Sequence, residues 1–164
     1  MIPIYKFINL DNGDILLEKV ILDHTKYKII DNNNGNKLLK KIESINITNI
    51  NNIKNYDFKK SVIVSCFINN DKIIKLKYKS ILDSIYRIIN DGTQIIKTSK
   101  LNIKTINKFD EGFYYLDDLG ISVQGVDSNK SLLEIIEQSS ENKINLVMKI
   151  KLNDGKDVDI NFTY

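Results

Sequence analysis

Residues 110–138, D-E-G-F-Y-Y-L-D-D-L-G-I-S-V-Q-G-V-D-S-N-K-S-L-L-E-I-I-E-Q, are the best-punctuated stretch of the chain and decide its fold class. Phe113, Tyr114, Tyr115 and Leu116 form an aromatic-rich run, Gly120 stands where the chain must turn, and Ile121, Val123 and Val126 carry it back. This spacing predicts a β-hairpin. Ser131 and Glu134 make an S-x-x-E pair, in which each side chain would satisfy a free N–H of the other at a helix start. A β-β-α unit is therefore expected here.

Outward from it, the rest of the chain repeats the hairpin theme. Residues 4–8 and 15–22 flank Asn12-Gly13, a pair suited to a tight turn with positive φ. A short strand at 26–30 stops at the Asn-rich loop 32–36. Residues 37–43 read as strand or a single helical turn. Ile45, Ile47, Ile50 and Ile53 change period midway, so their type stays open. Residues 51–60 read as a long loop, followed by a hairpin of 61–68 and 72–77 around N-N-D. Ile81, Leu82, Ile85, Ile88 and Ile89 then fall on one face of a helix, with Ser80 as N-cap, Asp83 in the first turn and Gly92 as its stop. Residues 93–98 and 101–106 read as strands, as do 143–152 and the run Val158, Ile160, Phe162 on either side of N-D-G-K at 153–156.

The predicted fold is α+β: a mostly antiparallel sheet of hairpins with two amphipathic helices packed on it. The pattern S-φ-φ-acid-x-I recurs at Ser80–Ile85 and Ser131–Ile136, each after a hairpin, which is compatible with two β-β-α units on one continuous sheet. At 164 residues, 42% hydrophobic and 27% charged, one domain is expected over 1–164, with possible sub-units 1–60, 61–105 and 106–164. The absence of Ala, the single Arg87 and the wealth of Ile, Asn and Lys match codons biased toward A and T.

The residue inventory argues against most catalysis. His24 is the one histidine and Cys66 the one cysteine, the latter inside S-V-I-V-S-C-F-I, which reads as a buried strand. A zinc set, a Cys-His pair and a disulfide all need more. There is no phosphate-binding glycine loop and no G-x-S-x-G. No cofactor is expected. No apolar run reaches membrane-spanning length and no signal-peptide order opens the chain, so a cytoplasmic protein without a membrane partner is expected. The doublets Asp110-Glu111 and Asp117-Asp118 could hold a divalent cation, but neighbours on a strand point to opposite faces, and turn acids explain them as well.

Charge is uneven. Residues 1–105 carry 18 Lys and Arg against 10 Asp and Glu, and residues 106–164 carry 6 against 11, so +8 is followed by −5, which gives the net +3. A Lys-rich first part could bind nucleic acid, though nucleic-acid readers favour the Arg fork. An acidic, aromatic second part could cover a basic protein, with Tyr114, Tyr115, Asp117 and Asp118 as partner-binding residues. A carboxylate-dependent metal enzyme is the third class.

Residues 112–137 resemble the signature of HicB-type antitoxins. The matching positions are Gly112, Phe113, Tyr114, Asp118, Leu119, Gly120, Gln124, Gly125, Ser131 and Glu134. Both prolines of that family's turn are missing, the turn is shorter, and no DNA-binding tail follows residue 140. The resemblance implies a non-enzymatic antitoxin or immunity-type inhibitor, neutralising a basic partner such as a toxin nuclease by covering its active surface.

Overall fold

The structure is a computed structural model that describes residues 4–9, 15–20, 27–31, 37–41, 44–105 and 111–164. The chain forms two compact units, residues 1–43 and residues 44–164. The first holds two antiparallel ladders. β1 (Ile4–Asn9) pairs with β2 (Ile15–Val20), and β3 (Tyr27–Asp31) pairs with β4 (Lys37–Lys41). The open strand-or-helix question over 37–43 is thus answered by strand for 37–41, and residues 42 and 43 lie outside the described residues. The Asn12-Gly13 turn, His24 and the loop 32–36 lie outside the described residues.

The second unit is an α+β fold, as the hairpin and helix patterns predict. Its main sheet has five strands in the order β5-β12-β11-β6-β7. These are β5 (Ser44–Ile47), β6 (Val62–Ile68), β7 (Asp71–Lys72), β11 (Leu146–Lys151) and β12 (Asp157–Phe162). β5 runs parallel to β12 and the other pairs are antiparallel. A separate three-stranded antiparallel sheet is ordered β8 (Ile103–Lys104), β10 (Ile121–Gln124), β9 (Phe113–Leu116). The two hairpins of the internal echo therefore lie in different sheets, rather than in one.

Alternation along β6, β11 and β12 sends one set of side chains inward. Ile63, Cys66, Ile68, Leu146, Met148, Ile150, Val158 and Ile160 are buried from this face. They join Ile81, Leu82, Ile85 and Tyr86 of α1 (Tyr78–Ile89) and Leu132, Ile135 and Ile136 of α3 (Ser128–Glu141) in one core. The one-faced helix over 78–89 is as its periodicity predicts, but its ends are not. Lys77 is the N-cap and makes no side-chain cap bond, Ser80 lies inside the helix, and Asn90 closes it with φ 48°. Asn is among the few residues that adopt this left-handed geometry at low cost.

Four further expectations are corrected. Residues 93–98 are not a strand: Gly92–Thr98 forms a third helix, α2, because Asp91 accepts from the N–H groups of Thr93 and Gln94 and caps it. Residues 51–60 are not an open loop: a 3-10 turn at Ile50–Asn55 buries Ile53, and Phe58 beyond it is fully buried. The return strand expected over 72–77 shrinks to Asp71–Lys72, after a turn in which Asn69 and Asn70 both take positive φ. The strand expected over 101–106 is likewise short, Ile103–Lys104 among the described residues.

The capping of α3 also differs from its expectation. Asp127, not Ser131, is its N-cap and accepts from the N–H of Lys130 at 3.0 Å. Ser131 and Glu134 are buried inside the helix. The S-x-x-E spacing fits a cap equally well on either side of one turn, and the Asp one turn earlier takes the position.

Candidate functional site

The hairpin β9–β10 forms as its sequence predicts, with Tyr114 opposite Val123 and Tyr115 opposite Ser122. Gly120, at φ +64°, makes the turn, a conformation that costs other residues dearly. Successive side chains point to opposite faces, so the two tyrosines part company.

Tyr114 faces α1. Lys79, Asp83 and Arg87 recur there at steps of four residues and so form one polar stripe. The Lys79 ammonium sits 3.7 Å from the centre of the Tyr114 ring. The Tyr114 hydroxyl lies near enough to the Asp83 carboxylate for each to shift the other's pKa. One turn further along, Arg87 donates from Nε to Oδ2 of Asp118 at 2.6 Å and from Nη2 to Oδ1 at 3.4 Å. This ion pair is half exposed. It lowers the acidity range of Asp118 below the usual carboxylate value and raises that of Arg87, each through the hydrogen bond between them.

Asp83 responds in the opposite direction. Burial raises its pKa above the ordinary value, and the Tyr114 hydroxyl and the charges of Lys79 and Arg87 offset only part of this. Its Oδ1 is buried with no hydrogen-bond partner. Burial likewise pushes the Tyr114 phenol upward, so it remains protonated. Of the four partner-binding residues expected from sequence, Tyr114 and Asp118 are thus engaged by α1. Tyr115 is half-buried and Asp117 exposed, and both carry further interactions of their own. The Lys79, Asp83, Arg87 spacing was readable in the sequence and identifies the helix face that receives the hairpin.

A second polar cluster lies between α1, α2 and α3. Glu134 is 2% exposed. Its Oε1 accepts from the hydroxyl of Tyr86 at 3.0 Å and its Oε2 from the backbone N–H of Lys100 at 3.2 Å. Ser99 Oγ lies 3.3 Å from the same Tyr86 hydroxyl. Fully buried Gln138 pairs with Thr98, and Lys100 forms an ion pair with Glu137. Beside Glu134 lies a cavity of about 300 Å³, also lined by Asn102, Gln124 and Lys130. The Lys100 N–H to Glu134, Thr98 to Gln138 and Lys100 to Glu137 contacts hold the end of α2 against α3, and Tyr86 ties α1 to the same helix, which is a structural task.

The third feature is the outward face of the five-stranded sheet. Val62, Val64 and Val147 are 63%, 49% and 41% exposed. Phe67 stands opposite Val147 on the same face, and a register shift beside Lys149 and Ile150 widens β6 next to Val64. Alongside run Lys149 opposite Asp159 and Lys151 opposite Asp157. An apolar strip beside rows of both signs is a surface suited to protein contact.

Among the described residues no three His, Cys, Asp or Glu side chains come together as a metal-holding group. Glu111 is exposed, and Asp110 lies outside the described residues. No described helix is long and apolar enough to cross a membrane. In comparison with known proteins, no family model, no curated protein and no solved structure matches the chain.

Proposed function

We propose that this chain is a non-enzymatic protein-binding module. The observation that carries the reading is the open outward face of the five-stranded sheet, where Val62, Val64 and Val147 stand in water instead of in a core. Three exposed β-branched apolar side chains on the neighbouring strands β6 and β11, with the Lys149–Ser65 row between Val147 and Val62, offer apolar area whose burial by a partner is favourable. The Lys149–Asp159 and Lys151–Asp157 rows at its border set orientation more than affinity.

The antitoxin-type reading belongs to the same class. In it the partner is a basic protein such as a toxin nuclease, covered by Tyr114, Tyr115, Asp117 and Asp118. Arg87 already neutralises Asp118, and Tyr114 is turned toward Asp83, so the sheet face supports binding better than the hairpin does. The two surfaces are separable by experiment. Affinity purification of the full chain from its native cells is expected to recover a stoichiometric partner that Val62→Asp with Val147→Asp releases, while Tyr115→Ala with Asp117→Asn retains it. The reverse pattern transfers the contact to the hairpin. Absence of any partner, together with a catalytic activity of the purified chain, overturns the proposal.

A further inference from the structure

A separate surface lies at the other edge of the main sheet, where β7 turns into α1 through K-I-I-K-L-K-Y-K, residues 72–79. Ile74 at its tip is 91% exposed, the most exposed of the large apolar side chains among the described residues. Lys72, Lys75 and Lys77 flank it in the chain, all exposed, with Asp71 the one acid between residues 71 and 80, while Lys79 lies over the Tyr114 ring. Among the described residues, Lys72, Lys75 and Lys77 take part in no ion pair. Lys72, Lys75, Arg87, Ser80 and Ser84 line a cavity of about 450 Å³ behind Ile74, with Asp83 at its wall.

We infer that this tip docks on an anionic phospholipid surface, with Ile74 entering the headgroup region and the lysines meeting lipid phosphates and carboxylates. An exposed apolar tip flanked by cations without ion-pair partners is the arrangement that such an interface rewards, through partial apolar burial together with attraction to negative charge. Lysine suits this role because its long stem lies along the apolar boundary while its ammonium stays hydrated. The composition separates the lipid surface from two other anionic partners. Protein interfaces disfavour Lys and favour Arg and aromatic side chains, and the one Arg is held by Asp118. Single-stranded nucleic acid is gripped by base stacking, but the one aromatic side chain of the segment, Tyr78, is half-buried and hydrogen-bonded to Ser61 at 2.6 Å. The contact is peripheral and involves no spanning segment.

The test is co-sedimentation of the full chain with phosphatidylcholine vesicles, and with vesicles in which about a third of the lipid is phosphatidylserine. Binding to the second kind alone, falling steeply with salt, is expected. Ile74→Ser should weaken it about tenfold. Lys75→Glu with Lys77→Glu should weaken it by at least about fivefold for each lysine. These positions are exposed and acidic residues suit a helix start, so circular dichroism should be unchanged. No sedimentation with the anionic vesicles at low salt overturns the inference. It is equally overturned if Ile74→Ser leaves binding intact, or if a single-stranded oligonucleotide binds the chain tightly and displaces it from the vesicles.

Discussion

The buried hydroxyl of Tyr86 on α1 donates to Oε1 of Glu134 on α3 at 3.0 Å. Both residues are almost entirely removed from water, so the bond joins the helices in a place where an unpaired carboxylate is costly. Tyr86→Phe removes the donor and leaves the acceptor, and should cost about 1.5–3 kcal/mol in urea unfolding. Glu134→Gln retains an acceptor and should cost less. The double variant should show a coupling of about 0.5–3 kcal/mol; strictly additive losses would mean that the two side chains are energetically independent.

Burial raises the phenol pKa of both Tyr86 and Tyr114 above the unfolded value near 10. A group raised on folding contributes stability that is whole below its unfolded value and lost as pH rises through the folded one. Alkali should therefore unfold the chain above pH ~10. Of the eight tyrosines, these two should ionise only with loss of far-ultraviolet dichroism. Full phenolate absorbance in a chain whose dichroism is unchanged would contradict the buried placement.

Asp83 is raised for the same reason, burial, with an orphaned Oδ1. The stabilising protonated form dominates below the ordinary value of 3.8, and its contribution disappears as pH rises through the folded value. Ionised Asp83 is thus a liability at neutral pH. Asp83→Asn should raise stability at pH 7 by on the order of 0.5–1 kcal/mol, discounted for partial solvent screening. The gain should vanish on acidification to the unfolded range. A loss at pH 7 would show that attraction by Lys79 and Arg87 outweighs burial.

Much of this architecture was legible in the sequence, and the failures share physical causes. The β9–β10 hairpin was readable because Gly120 and the alternating apolar residues agree on one register. α1 was readable because its apolar positions recur with helical period. α2 was not, since G-T-Q-I-I-K-T is rich in β-branched residues, and a cap from Asp91 together with burial of Ile95 overrides that preference. α3 was placed correctly but misread at its start. Glu134 was assigned to a surface cap, yet it accepts two hydrogen bonds in the interior from residues far away in sequence. Long-range satisfaction of a polar group leaves no local pattern. The hairpin residues Tyr114 and Asp118 look like free contacts in sequence for a related reason: their partners lie on another element.

The turn at Gly120 supplies a local test of the hairpin itself. No atom lies within 4 Å of the position that a Cβ would take there, so space is not the obstacle. The obstacle is φ +64°, which places a Cβ close to the neighbouring carbonyl. Gly120→Ala should cost about 1–2 kcal/mol. Gly120→Asn should recover part of that loss, because Asn tolerates left-handed backbone. Equal losses from both substitutions, measured by thermal unfolding, would point to crowding instead of backbone strain.

Cys66 offers a probe for opening of the main sheet. It is fully buried on β6, opposite Met148 on β11, and its backbone carbonyl accepts from the N–H of Ile73. Burial pushes its thiol up to about 12. The reactive thiolate is therefore scarce at neutral pH, and reagent has no direct path to the sulfur. In native buffer the thiol should remain unmodified by a disulfide-exchange reagent over hours, and in urea its labelling should follow the same transition as dichroism. Ile74→Ser, which changes only the exposed side chain at the tip of the β7–α1 turn, should leave that protection intact. Rapid labelling of the unaltered chain without denaturant would show instead that β6 separates from β11 well below the global unfolding threshold.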